Sequence, residues 1–266
     1  MRPLWVGGYL LSLCLGAWSC DGPAPRGQAQ CMGGGVMRGD TTQAAIALVF
    51  TAHTFAEGGA HIQRVLADNQ VKASFFLTGD AYRNPVFTGL IRGLRADGHY
   101  LGAHSDRHLL YCPWERRDSL LVSRDSFRRD LQANYAEMAR FGIEATEAPF
   151  FMPPFEWYND SISAWTRAEG KQLINFTPGT LSQADYTTPD LPHYRSSEEI
   201  MASILAREGQ SGLNGYILLI HLGAGPGRAD KFYLHLQPLM DSLRGRGYRF
   251  CRIDDLPGVA AGCPEG

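Results

Sequence analysis

An α/β fold on a parallel sheet is predicted by three observations. Short apolar runs alternate with segments of helical apolar spacing, the runs number seven, and the residues suited to chemistry fall just after their C-terminal ends. The runs are Ala45 to Phe50, Lys72 to Leu77, Tyr100 to Ala103, Ala148 to Met152, Gln172 to Phe176, Gly215 to His221 and Tyr248 to Ile253.

The helices between them have their own signals. Phe87, Leu90, Ile91 and Leu94 share one face, and Gly98 supplies a stop. Ser126 to Phe141 carries Phe127, Leu131, Tyr135 and Met138 on one stripe and ends at Gly142. Ser196 and Glu199 have capping-box spacing ahead of Ile200, Ile204 and Leu205, and a last helix is expected from Lys231 to Arg246.

Ahead of these elements, residues 1–20 read as an export signal, with Arg2 as the positive end and an apolar stretch from Leu4 to Trp18 too short to span a membrane. Leu15 to Cys20 is similar to a bacterial lipoprotein signal. Cys20 would then carry lipid, and the membrane is met only through that anchor, in a periplasmic or outer-membrane setting. Ordinary cleavage after a small residue is the alternative. Residues 21–43, rich in Gly, Pro, Ala and Gln, are expected to be a flexible tether, and 44–266 the folded domain.

Composition narrows the function classes. Among 266 residues, 44% are hydrophobic and 20% charged, an ordinary globular balance with enough length for a large core. A formal net charge of -2 without Lys/Arg clusters excludes a phosphate-backbone partner. Of the cysteines, Cys31, Cys112, Cys251 and Cys263 remain after the leader. Export permits disulfides, their pairing is open, and none has metal-site spacing.

His104 and His108 lie four apart directly after a short strand, so one tight turn brings both imidazoles to one side, as metal ligation needs. His53 follows the first strand, Pro153 to Tyr158 follow the fourth, and His221 ends the sixth, Tyr216 to Ile220 being almost wholly apolar.

With these residues in place, the chain resembles the polysaccharide deacetylases of the NodB-homology type, carbohydrate esterase family 4. The carriers are His104-Ser105-Asp106-Arg107-His108, preceded by Gly98 to Gly102, then Val71 to Gly79, Pro153-Pro154-Phe155, Leu219-Ile220-His221 and Arg246 to Phe250. The resemblance spans Ala45 to Leu256 and implies a distorted (β/α)7 barrel, a divalent metal on His104 and His108, and an acetylated carbohydrate as substrate. It also implies His221 as the acid that protonates the leaving group, and Leu219 as a lining of the acetyl pocket.

Departures from the family pattern are specific. Where the family carries T-F-D-D-G, with one Asp as base and one as metal ligand, this chain reads Val49-Phe50-Thr51-Ala52-His53. Met152 stands where an Arg normally holds the base. Loss of both together is consistent, because a buried Arg without its partner is an unpaired charge. His53, aimed by a bulge at the strand end, becomes the candidate third ligand, for zinc first and other first-row ions after it. Glu57 is an alternative ligand or base, or simply opens the following helix.

Glu156, at a position where the family usually has Gly, is the candidate base, with Asp106 a competitor that more often orients a neighbouring imidazole. Pro154, Trp157 and Tyr158 are expected to touch substrate, aromatic faces being what sugar rings stack on. Phe176 to Thr180 and Asp185-Tyr186 follow strand five, where the family has its fourth motif; the match is poor and no role is assigned to them.

Three functions remain in view. One is a metal-dependent hydrolase removing N- or O-acetyl groups from a poly- or oligosaccharide. The second is a non-catalytic carbohydrate-binding protein on the same scaffold, and the third a hydrolase of another C–N bond.

Overall fold

The structure, a computed structural model, describes residues 27–263. In chain order the elements are β1 (Gln30–Met32), β2 (Gly35–Arg38), β3 (Ala45–Ala52), α1 (Gly59–Asp68), β4 (Ser74–Leu77), α2 (Gly79–Arg83), α3 (Thr88–Ala96) and β5 (Tyr100–Ala103). Then follow α4 (Arg124–Ala139), β6 (Phe150–Phe151), α5 (Asp160–Ala168), β7 (Gln172–Leu173), α6 (Ser197–Ser211), β8 (Tyr216–His221), α7 (Leu236–Arg244) and β9 (Arg249–Cys251).

One curled sheet organises them, in the order β1-β2-β8-β3-β4-β5-β6-β7, with β9 beside β3. The eight residues of β3 are all buried, as befits a central strand covered on both faces. Its neighbours are parallel and in step: Ala52 pairs with Leu77, Leu77 with Ala103, Ala103 with Phe151, and Phe151 with Leu173. On the other side Thr51 pairs with His221. These pairings set the strand ends side by side, so the loops after them share a single rim.

The distorted barrel is closed by an unexpected stave. Val36 of β2 bridges Ile174, and the Asn175 amide donates to the Val36 carbonyl at 2.8 Å. β2 thus joins the two ends of the sheet, while β9, from the seventh predicted run, pairs only with Ala45, Ile46 and Ala47 of β3.

This corrects the expected tether. Residues 30–38 form a hairpin in the domain, and Cys31 is disulfide-bonded to Cys263 across 232 residues. Composition hid the hairpin because Gly33 and Gly34, at φ 54° and 73°, are its turn. Cys112 and Cys251 are free and buried. The leader and the lipidation site lie outside the described residues.

The cross-link constrains so long a loop of the unfolded chain that its loss should cost about 2–4 kcal/mol. A Cys31→Ala, Cys263→Ala double variant is therefore expected to melt roughly 6–12 °C lower with unaltered ligand binding. An unchanged Tm in calorimetry would contradict this.

Helix signals held with small shifts. Ser123 caps α4 by accepting from the Ser126 amide, Phe127, Leu131 and Met138 are buried, and both halves of the Ser196/Glu199 capping box are formed. The last helix is shorter than expected, because Phe232–His235 winds as a 3-10 turn ahead of α7.

Candidate active site

The segment after β5 carries the histidine pair, and α4 holds it in place. Asn134 accepts from the His104 amide at 2.8 Å and donates to the Leu77 carbonyl at 3.3 Å, tying two strand ends together. Asp130, one turn earlier on α4, accepts from the Asp106 and Arg107 amides, both at 3.1 Å, and from the Tyr111 hydroxyl at 3.3 Å. So gripped, Ser105 and His108 adopt left-handed backbones, φ 70° and 56°. Such values carry a cost in residues other than Gly and concentrate at functional sites.

Asp106 pairs with arginines and not with the imidazoles. It is buried and paired at 2.6 Å with Arg83, so it serves the loop and is not the base. A Cβ at residue 79 would lie 1.8 Å from the Asp106 carboxylate, which leaves only Gly79 able to sit beneath it.

His104 is fully buried, and its Nδ1 lies 2.9 Å from the Met152 carbonyl, which fixes that nitrogen as the donor and leaves Nε2 with a free lone pair. The ring centroid of His108 is 5.1 Å away at 62°. Burial, reinforced by the neighbouring imidazoles, lowers the pKa of His104 to about 3 and of His108 to about 2, so both are neutral. Neutral imidazole is the ligating form.

Those two histidines therefore fit a divalent ion. His53 stands differently: its ring stacks on His108 at 4.8 Å and 9°, with Nδ1 3.1 Å from Thr78 Oγ1. Stacked rings hold their in-plane lone pairs in two separate, nearly parallel planes, so the pair does not converge on one ion in this arrangement. Among the described residues no three His, Cys, Asp or Glu side chains form a ready metal-binding group. The expected three-imidazole set is thus not assembled, and His53 completes it only by leaving the stack. Thr51, at the position of the family's first Asp, is buried with a hydroxyl that has no hydrogen-bond partner. An unmade bond of that kind costs about 1–3 kcal/mol, which a bound group can offset.

His221, at the end of β8, meets an aspartate to which sequence reasoning gave no role. Asp185 accepts from His221 Nδ1 at 2.6 Å through one oxygen and from its amide at 2.9 Å through the other. Burial alone would lower the His221 pKa, but the adjacent Asp185 charge and hydrogen bond outweigh it, and the net shift is upward. The signal available in the sequence was a lone Asp after strand five; only the fold shows which histidine it serves.

Glu156 occupies the same region. Phe155 and Glu156 are consecutive left-handed residues, φ 59° and 53°, braced by Asn175, which donates to the Glu156 carbonyl at 2.8 Å. Burial pushes the Glu156 carboxyl up to about 7, against the pull of the His221 charge and with a further push from Asp185. By contrast Glu57 is engaged elsewhere, accepting from the Ala224 and Gly225 amides, each at 2.9 Å, and from Lys231 at 2.7 Å. It pins the loop after β8 and is neither ligand nor base.

The expected sugar contacts need correction. Tyr158 is wholly buried, its hydroxyl donating to the Met32 carbonyl at 2.6 Å, because the β1-β2 hairpin covers it. Pro154 and Leu219 are buried too and offer a ligand no surface. Trp157 alone of the four keeps part of its face open. Sequence reasoning missed four aromatics: Phe55, Trp114, Phe155 and Tyr186 are, among the described residues, the exposed large aromatic side chains. Each borders this rim. Phe155 packs on His108 at 4.3 Å, Trp114 on Phe155 at 5.6 Å, Tyr186 on His221 at 5.0 Å, and Phe55 follows His53 by two positions.

Comparison with known proteins agrees with this geometry. A chitin deacetylase from Colletotrichum lindemuthianum is 26% identical over 202 residues, which cover 74% of this chain and 73% of that protein. Its solved structure superposes with a TM-score of 0.64 at 21% identity, over 89% of this chain and 96% of that one. A family 4 carbohydrate esterase from Bacillus subtilis gives 0.66 at 19% identity over 87% and 94%, and a pseudoenzyme of that family from Bacillus anthracis gives 0.66 at 17% over 85% and 69%. The polysaccharide deacetylase family model matches residues 38–174, more than half of the sequence, from the closing stave β2 through the histidine pair to the bridge at Ile174. With a curled sheet and a His104/His108 rim of the expected kind beneath that match, the chain belongs to the polysaccharide deacetylase family.

Proposed function

We propose that this protein removes acetyl groups from an amino-sugar or acetylated polysaccharide, with His221 as general acid and Glu156 as general base. The observation that carries the reading is the Asp185-His221 pair, held at 2.6 Å on the rim that bears Glu156 and the histidine pair. Water adds to the acetyl carbonyl carbon and gives its proton to Glu156. The C–N or C–O bond then breaks, and the proton on His221 Nε2 passes to the departing nitrogen or oxygen. Asp185 holds the ring by Nδ1 and favours its charged state, so Nε2 is aimed and loaded.

His104 and His108 would hold a divalent metal, zinc first, with His53 recruited if its ring turns off His108. Such an ion supplies Lewis acidity toward the acetyl oxygen and makes water more acidic. An extracytoplasmic location is part of the same proposal and is supported by the Cys31-Cys263 disulfide.

Assay of released acetate from chitin oligomers, peptidoglycan and acetylated xylan, alongside metal content, tests the proposal. Release of acetate is expected, with bound metal falling from about one ion per chain to near none in His104→Ala. Full activity in a metal-free His104→Ala protein would end the metal assignment. Amine release without acetate would indicate a different C–N bond.

A second reading, carbohydrate binding without turnover, is favoured by one observation: Thr51 and Ala52 replace both family carboxylates. Binding across the same panel with no acetate released would establish it.

A further inference from the structure

We propose that Arg228 is a positioning residue for the acid: its buried guanidinium locks the turn that carries Asp185 onto the loop after β8, and so presents Asp185 to His221. This rests on the reading of His221 given above and deepens it.

Arg228 is the bulkiest of the fully buried side chains among the described residues, with none of it open to solvent. A buried cation carries a large desolvation penalty and persists only where its donors meet good acceptors. The carboxylate paired with it, Asp230, is 3.4 Å away and itself 38% exposed, which makes a loose pair. The closer partners are backbone carbonyls. Nη1 donates to the Thr187 carbonyl at 2.7 Å and Nε to the Asp230 carbonyl, while Nη2 reaches Ser197 Oγ at 3.4 Å. The Tyr194 ring lies against the guanidinium at 5.0 Å. One planar group thus ties together the loop 222–231, the chain at Thr187 and the start of α6. An ammonium, with all its donors at one point, does not span such a set.

The clamp sits where the acid is assembled. Residues 184–187 form a reverse turn, in which the Ala184 carbonyl accepts from the Thr187 amide at 3.0 Å and from the Thr187 hydroxyl at 2.6 Å. Asp185 stands inside that turn and Thr187 closes it. The carbonyl gripped by Arg228 is therefore two residues from the carboxylate that holds His221. Arg228 itself follows His221 by seven positions. Chain and hydrogen bonds make a closed circuit, from His221 along the loop to Arg228, across to Thr187, back to Asp185 and onto the ring. A single contact between two loops is a hinge, and a second one removes rotation about it. Without Arg228, Asp185 would depend on the segment between β7 and α6, which has little regular structure of its own.

The proton on His221 Nδ1, hydrogen-bonded to Asp185, should give a far-downfield resonance in proton NMR of the whole protein, identified by its loss in His221→Gln. Its exchange with water reports the Asp185 contact directly and does not depend on turnover. Arg228→Lys keeps a cation in place, so folding survives. It is expected to speed this exchange about 10-fold, the effect of losing one hydrogen bond to a charged group. Arg228→Met should speed it further. Leu239→Ala, which opens a cavity under the buried face of α7, is expected to lower Tm yet leave the exchange rate unaltered. In kcat, Arg228→Lys combined with Asp185→Asn should be about as slow as Asp185→Asn alone, since both act through one contact.

An unchanged exchange rate in Arg228→Lys, equal acceleration in Leu239→Ala, or kcat losses that multiply in the double variant would each overturn the proposal. Faster exchange confined to the Arg228 variants, with no acetate released by any form, would uphold it and overturn only the hydrolytic reading.

Discussion

Replacing His221 with alanine is expected to lower kcat on an acetylated oligosaccharide by about 10²- to 10⁴-fold with KM nearly unchanged, because proton delivery to the leaving group is needed only in the transition state. Asp185→Asn should reproduce much of this loss without touching the ring. The amide keeps an acceptor for Nδ1–H but removes the charge that raises the His221 pKa. The active form of an acid is the protonated one, so activity falls as pH rises through its pKa. Lowering that pKa by Asp185→Asn must shift the alkaline limb of the kcat profile to lower pH. An alkaline limb that stays in place would show that His221 is not the acid.

Glu156→Gln is expected to cost about 10²-fold or more in kcat and to erase the acidic limb of the profile. A base works when deprotonated, and burial raises the Glu156 carboxyl to about 7, so the wild-type rate should climb with pH until near neutrality. Together the two groups give a bell-shaped profile, since the rate needs Glu156 deprotonated and His221 protonated at once. The family's missing carboxylate makes this the decisive variant: if Glu156→Gln retains both the rate and the acidic limb, the base lies elsewhere on the rim. Measuring kcat from about pH 5 to 9 separates these cases, that range bracketing both ordinary and shifted values.

Much of this site was legible before the fold was known, and the reasons are local. His104 and His108 are fixed by spacing in one turn, and His221 by the end of an apolar run, so periodicity alone places them on the rim. The strand set was legible for the same reason, β3 and β8 being apolar throughout.

What stayed hidden depends on contacts between distant segments. Asp185 acquires its role only because the loop after β7 folds back onto β8, 36 residues away in sequence. Tyr158 has the aromatic face of a sugar platform in sequence, but the β1-β2 hairpin, disguised by its glycines as linker, covers it. His53 lies where a ligand was expected, yet the flat stack with His108 is a matter of ring orientation that no spacing rule conveys. Trp114 sits in a stretch without periodicity, and nothing in its neighbours announces that an indole will stand in solvent.

The consecutive left-handed residues Phe155 and Glu156 bear on how this protein would respond to selection for stability. An αL backbone costs a residue with a Cβ about 1–2 kcal/mol relative to glycine, so Gly at either position is a ready gain for any screen that rewards heat resistance. The same change deletes the carboxyl that titrates near neutrality or the ring that covers His108. Variants enriched by heating should therefore drift toward the family's usual glycine at 156 and lose the side chain at that corner, trading chemistry for robustness at a single codon.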